Sequence, residues 1–509
     1  MLAKLRSVAL VGIEAIECEV EVDVAARGFA HAAIVGLPDA AVKESLERVR
    51  SALNNSGYKW PKHKTLINLA PADIKKEGPA FDLPIALGMI FAGDEGTPER
   101  VREYLIAGEL ALDGHVRPIK GALSMAMLAR ECGAAGVLIP RENAAEAAVV
   151  EDVEVIGIGT LAEAVGFLSD QLPLEPTALD LDVVFADAAR YEEDFGDVRG
   201  QELAKRALVV AAAGGHNLLL IGPPGTGKTM LSKRLPTILP PLTLPESLET
   251  TRIYSAAGKL QTGQALLARR PVRSPHHSAS GPALVGGGSI PQAGEVSLAH
   301  HGLLFLDEFS EFPRSILETL RQPLEEGVVT IARSHSAVSF PARFMLVAAM
   351  NPCPCGYFTD PNKPCKCSPN QIDKYLSRIS GPLIDRIDIH IEVPPVPYRD
   401  LRSQRNGSDS ATMRDEVVKA RRIQRERFGA NSTTLNGQMS SRQLRKCCAL
   451  DAAGEQLLKQ ALTELGLSAR AHDKILRVAR TIADIAGETN ILAEHVSEAI
   501  MYRRLDRQL

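Results

Sequence analysis

The chain of 509 residues is too long for one hydrophobic core, and its 45% apolar and 24% charged composition is that of a folded, multidomain protein. A net charge of −4 excludes nucleic-acid binding through overall charge and leaves it to local basic patches, while 4% aromatics with one Trp leave no obvious base-stacking platform. No run of about 18 apolar residues occurs, so no membrane span is expected. The N-terminus turns acidic too early for a secretory signal. Eight Cys are present, and the grouping of four between 353 and 367 points to metal in a reducing compartment, with the cytoplasm the simplest location.

Residues 1–170 read as one α/β domain. Cys18 to Val24 alternates as a half-exposed strand does. Ala40 to Leu53 is an amphipathic helix with Val42, Leu46, Val49 and Leu53 on one face. A strand at Leu66–Ala70 ends at Pro71, and Phe81–Ala92 is an apolar helix with Pro84 in its first turn. A hairpin spans Ala107 to Ile119, a helix follows over Ala122–Cys132, and a strand over Gly136–Pro140. Lys43, Lys75, Lys76 and Lys120 are read as solvated charges, with phosphate contact as the alternative. Residues 171–190 read as an acidic, Pro-containing linker, which separates this domain from a second over 191–398 and a helical region over 399–509.

Within the second domain, Gly222-Pro223-Pro224-Gly225-Thr226-Gly227-Lys228-Thr229 is G-x-x-x-x-G-K-T. It lies between an apolar strand, Asn217–Ile221, and a helix from Met230, where backbone N–H groups converge on an anion. The glycines let the backbone wrap phosphate, Lys228 reaches the β- and γ-phosphates of ATP, and the Thr229 hydroxyl can ligate Mg²⁺. Seventy-nine residues beyond Lys228, the apolar run Leu303–Leu306 ends in Asp307 and Glu308. Ligands of open α/β sheets bind at such strand ends. Asp307 suits the Mg²⁺ shell and Glu308 suits activation of the attacking water. A third strand, Phe344–Met350, ends in Asn351, a polar residue at the strand tip.

Cys353, Cys355, Cys365 and Cys367 form C-x-C-x9-C-x-C, a spacing that suits tetrahedral Zn²⁺, with free thiols or a redox pair as the alternative. Arg269, Arg270 and Arg273 lead into a Gly/Ser-rich insertion with Gly288 at its tip; His276-His277 and His300-His301 read as packing or loop residues. A hairpin over Val329–Val338 carries Arg333, a candidate phosphate contact or simply part of a rigid surface hairpin. From Arg399 to Cys448 there are twelve Lys and Arg against five Asp and Glu, including an arginine-rich helix at Val417–Phe428. That helix suits a phosphate backbone, a subunit contact or plain solvation. Asn406–Ser410 reads as a loop, and Leu457–Leu465, Ile475–Ile485 and His495–Tyr502 as lid helices.

The phrases GLPDAAVKESLERVRSALNNSG, NLAPADIKKEGPAFDLPIAL and RPVRSPHHS…GEVSLAHHGLLFLDE resemble magnesium-chelatase-like AAA+ ATPases, and the Cys cluster matches their bacterial YifB/ComM branch, with similarity along the whole chain. The resemblance implies an N-terminal Lon-protease-like domain (ribosomal S5 domain 2-like), an AAA+ P-loop core and a C-terminal helical lid. At Lys76-Glu77-Gly78-Pro79 the protease pattern would be followed by a Ser nucleophile, but Ala80 and Phe81 stand here, and no Lys falls at Ala122–Ser124. Peptidase activity is therefore not expected. By the same resemblance Val198 and Gln201 line the adenine pocket, Asn351 is sensor 1, Arg386 is the finger completing a neighbour's site with Arg378 as runner-up, and Arg470 is sensor 2. A structural ion pair is the alternative for each Arg. The family implies a homo-hexameric DNA motor promoting branch migration during natural transformation, with recombinase or competence proteins as partners. Metal insertion into a porphyrin and protein remodelling are the competing functions.

Overall fold

The computed structural model describes residues 1–27, 31–93, 96–188, 191–288, 291–332, 337–397, 408–429, 432–465, 468–503 and 505. They form two compact units, Met1–Asp187 with Ser247–Ala268, and Ala188–Glu246 with Arg269–Leu509. Among the described residues no helix is long and apolar enough to cross a membrane.

The first unit is built on seven strands: β1 (Leu2–Val11), β2 (Glu14–Val24), β3 (Ala32–Val35), β4 (Thr65–Ala70), β5 (Tyr104–Ile106), β6 (Gly136–Pro140) and β7 (Glu154–Ile158). Their order is β3-β4-β2-β1-β5-β6-β7. The β1–β2 hairpin is antiparallel with Leu5 opposite Val20, β2 pairs antiparallel with β4, and the remaining neighbours are parallel. Alternation sends Val20 and Val22 inward and the carboxylates of Glu19 and Glu21 outward to Lys4, as a one-sided sheet requires. Helix α1 (Ala40–Asn55) starts at Asp39, whose carboxylate accepts the Val42 N–H at 2.8 Å, and buries Val42, Val49 and Leu53. Helix α2 (Asp82–Phe91) is buried on nearly every side. Gly88 permits that approach, since a Cβ there would meet Val22 Cγ2 at 2.5 Å. Lys76, expected as a solvated charge, is fully buried and donates to the Pro71 carbonyl, and burial lowers its ammonium below the ordinary lysine value. Lys43, Lys75 and Lys120 are exposed. The stretch read as a linker contains a helix at Leu181–Ala188.

The second unit carries a five-stranded parallel sheet of β8 (Leu218–Ile221), β9 (Val272–Arg273), β10 (Leu303–Leu306), β11 (Met345–Met350) and β12 (Ile389–Glu392), in the order β9-β10-β11-β8-β12. These are near-continuous apolar runs because both faces are covered. Helix α3 (Glu202–Gly214) packs on the sheet, and helix α4 (Lys228–Arg234) follows the glycine loop. The C-terminal region adds, among others, helices α5 (Ser410–Phe428), α6 (Ala452–Leu465), α7 (Ala469–Ala486) and α8 (Ala493–Met501). A buried ion pair ties α7 to the approach to β12: Asp388 takes Lys474 and the Asn217 N–H at 2.9 Å. Burial pushes the Asp388 carboxyl up, but Lys474 and His216 outweigh it and hold it well below the usual carboxylate range.

Candidate active site

Strand β8 delivers the glycine loop to the C-terminal edge of the sheet. Gly222 must lack a Cβ, which would lie 2.3 Å from the Val393 carbonyl oxygen; Gly225 and Gly227 have φ of +79° and +90°. The Thr226 hydroxyl donates to the Pro223 carbonyl at 3.0 Å and closes the loop. Lys228 leans over it, donating to the carbonyls of Gly222 (2.6 Å) and Pro223 (2.8 Å) and to Asn351 Oδ1 (3.2 Å). Burial lowers the Lys228 ammonium to about 8, opposed by Asp307. The Thr229 hydroxyl donates to Asp307 Oδ2 at 2.7 Å. Adjacent parallel strands thus bring loop, Asp307 and Asn351 together: β8 pairs with β11, and β11 with β10.

Thr229 and Asp307 fit a hard cation, since a hydroxyl and a carboxylate oxygen at hydrogen-bond distance can enter one Mg²⁺ shell. Glu308 sits at the turn after β10 with φ +51°, an uncommon conformation for a non-glycine residue. Its carboxylate is 60% exposed and meets His277 Nδ1 at 3.0 Å. His277, expected as a packing or loop residue, lies in a turn beside the candidate base, a partnership that local spacing could not reveal.

Gln201 reaches the loop, donating to the carbonyls of Thr226 (3.4 Å) and Pro394 (2.6 Å). Val198 is buried in the same unit's core. Arg386 and Arg470 converge elsewhere. Arg386 pairs with Glu325, donates to the Pro382 carbonyl at 2.7 Å, and is 13% exposed. The Glu325 carboxyl is held below its ordinary value first by Arg386, then by the nearby Arg470 and Arg321. Among the described residues neither arginine hydrogen-bonds the glycine loop. Arg378 is 50% exposed and pairs with Glu311 at 2.9 Å.

The four cysteines Cys353, Cys355, Cys365 and Cys367 place their sulfurs within 4.8 Å of one another, with separations of 3.4, 3.7 and 3.6 Å among the first three, and all are free thiols. A ZnS₄ tetrahedron with bonds of about 2.3 Å has edges near ~3.8 Å, so the donor set fits zinc. Backbone N–H groups of Lys366 and Tyr357 pull the Cys355 thiol down to about 6. The cluster abuts the glycine loop: a Cβ on Gly356 would meet Pro224 Cδ at 2.7 Å.

Of the basic residues that lead into the Gly/Ser-rich insertion, Arg270, its side chain 8% exposed, is bound to Glu246 at 2.9 Å, and Arg273 is bound to Glu295 at 2.8 Å. Both are held in ion pairs within the segment, and for the nearly buried Arg270 the paired anion offsets the cost of burying a guanidinium. Arg269 lies over the Tyr191 ring. The hairpin strands are Val328–Ala332 and Ala337–Pro341; Arg333, Asn406 and Gly407 lie outside the described residues. In α5, Arg421 is buried and Arg427 binds Asp484, leaving Arg422 and Arg425 exposed. In the first unit, Phe81 is buried, and the Ser124 hydroxyl is buried and donates to the Ile13 carbonyl.

Family models agree with this geometry. "Magnesium chelatase, subunit ChlI" matches residues 194–401, "Subunit ChlI of Mg-chelatase" matches 20–143, and "Magnesium chelatase, subunit ChlI C-terminal" matches 407–503. The chain is 44% identical over 515 residues to "Competence protein ComM" of Haemophilus influenzae, covering 100% of this chain and 98% of that protein. It is 43% identical over 503 residues to YifB of Escherichia coli, covering 98% of this chain and 97% of that protein. A partial likeness joins 28% of this chain to 25% of "Lon protease 2" of Bacillus subtilis, at 29% identity over 142 residues. With a Lon-like N-terminal unit, a P-loop sheet with its acidic strand, and a helical C-terminal region, the chain belongs to the ComM/YifB family of magnesium-chelatase-like AAA+ ATPases.

Proposed function

We propose that the chain is an ATP-driven DNA motor that works as a homo-hexameric ring and promotes branch migration in recombination and natural transformation. The observation that carries this reading is one hydrogen-bonded set, Lys228 on Asn351 and Thr229 on Asp307, in a chain whose full-length relative is named a competence protein. Lys228 and the loop N–H groups bind the phosphates of ATP, and Thr229 and Asp307 hold Mg²⁺. Held by Thr229 and Asp307, Mg²⁺ would supply neutralisation of the phosphate charge. Glu308 takes the proton of the attacking water, and Asn351 orients that water. Arg386, released from Glu325, serves the neighbouring subunit's nucleotide, and Arg470 acts from α7. Steady-state ATP turnover with and without single-stranded or forked DNA tests the reading. Turnover is expected to rise several-fold with DNA; no binding and no stimulation would oppose a DNA substrate.

The cysteine cluster is proposed as a structural Zn²⁺ site beside the loop. Metal analysis of the purified chain is expected to find about one zinc per chain, and Cys355→Ser together with Cys365→Ser to lose it and lower Tm by several degrees. Protein free of zinc with unaltered Tm would refute the site.

A further inference from the structure

Opposite the nucleotide loop, at the N-terminal edge of the second unit's sheet, a cavity opens between the starts of β8, β10 and β11, lined by Gly215, Gly302 and Met345. Its polar lining is dominated by cations: Arg421 from α5, Arg270 and Arg343, with Thr433 and Gln438 alongside and Glu246 the acidic residue. The charges do not balance. Glu246 is committed to Arg270, whose Nη2 lies 2.9 Å from it and whose Nη1 also donates to the His301 carbonyl at 2.7 Å.

Arg421 is 8% exposed. It donates through Nε (3.1 Å) and Nη2 (2.7 Å) to one oxygen, the Ala212 carbonyl near the C-terminus of α3. Capping a helix C-terminus accounts for those donors, but offsets only about half a unit charge. No carboxylate pairs with Arg421 among the described residues, and its Nη1 has no protein acceptor there. A buried guanidinium without an anion is costly to hold. Burial, with Arg270 adding like charge and Glu246 opposing it from beside Arg270, lowers Arg421 to about 9, and arginine keeps its proton at neutral pH. Arg343 stands exposed at the rim, its side chain without an ion pair among the described residues. The room inside is about 50 Å³, several times what one water needs and enough for one small oxyanion.

The geometry points to a second phosphate site: Arg421 at the base and Arg343 at the rim, with Gln438 and Thr433 as neutral donors, bind one phosphate group in this cavity, apart from the nucleotide loop. Guanidinium forks match tetrahedral oxyanions, and an amide and a hydroxyl supply donors for the remaining oxygens. Free inorganic phosphate and a nucleic-acid backbone phosphate share this chemistry. The site does not depend on the proposed DNA activity.

The test uses the full chain with Mg²⁺ and a non-hydrolysable ATP analogue saturating the glycine loop, so that added phosphate reports only the second site. Inorganic phosphate at about 20 mM, against chloride of equal ionic strength, is expected to raise Tm by roughly 2–5 °C. The rise should vanish in Arg421→Gln and fall by at least about half in Arg343→Gln. In a parallel arm without phosphate, a single-stranded oligonucleotide is titrated. Affinity weakened about 5-fold or more by the same substitutions assigns the site to a backbone phosphate; a Tm effect alone assigns it to free phosphate. Either result supports the site. Equal responses from wild type and variants in both arms would overturn it. Should Arg421→Gln fail to fold, Arg343→Gln and Gln438→Ala, which lie away from the helix cap, decide the question.

Discussion

Replacing Glu308 by Gln is expected to leave ATP binding within about two-fold of wild type while lowering turnover by about 10²- to 10⁴-fold, the range for losing a general base. Gln preserves the volume and the turn at φ +51° but cannot accept the proton of water. The carboxylate is well exposed and lies against His277 rather than in a structural core, so its removal has little to unfold. Binding titration with a fluorescent ATP analogue, paired with steady-state phosphate release, separates the two quantities. Undiminished hydrolysis by Glu308→Gln would remove Glu308 from the mechanism.

Lys228→Ala acts earlier. The Lys228 amine hydrogen-bonds the loop carbonyls and Asn351, and an alanine there removes the ammonium and leaves only the loop N–H groups to meet the phosphates. ATP affinity is expected to fall about 30- to 1,000-fold, the equivalent of losing a buried charge pair. A pH dependence follows. Burial lowers Lys228 to about 8 in the free protein, and a bound triphosphate favours the ammonium form. Binding therefore takes up a proton as pH rises through 8, and affinity falls above that value; below it the lysine is already charged and affinity is flat. Calorimetry in buffers of different ionisation enthalpy reads the proton uptake directly. Wild-type affinity in Lys228→Ala would contradict the assignment of the loop.

What the sequence made legible is what is encoded within a few residues. The glycine loop, the acidic end of β10, the polar tip of β11 and the paired cysteines each depend on local spacing, and the parallel sheet then brings them together because neighbouring strands share an end. What it did not show depends on residues distant in the chain. Glu308 finds His277 thirty-one residues upstream. Arg386 and Arg470, separately read as a finger and a sensor, gather at Glu325. Arg270 looks like surface charge until Glu246 is seen beside it, and Lys76 until its burial is seen. Residues 247–268 belong to the first unit although they interrupt the second in sequence, which periodicity within the segment does not encode. Charge counting along α5 likewise overstated its exposed basic face, since Arg421 and Arg427 turn inward to a helix end and to Asp484.

Force applied to DNA is tested by following strand exchange on synthetic three- and four-way junctions. With ATP and Mg²⁺ the wild-type chain is expected to convert branched substrate to migrated product, and Glu308→Gln and Lys228→Ala are expected to give none. Wild-type protein that hydrolyses ATP in the presence of the junction, yet leaves the branch point where it was, would contradict the account.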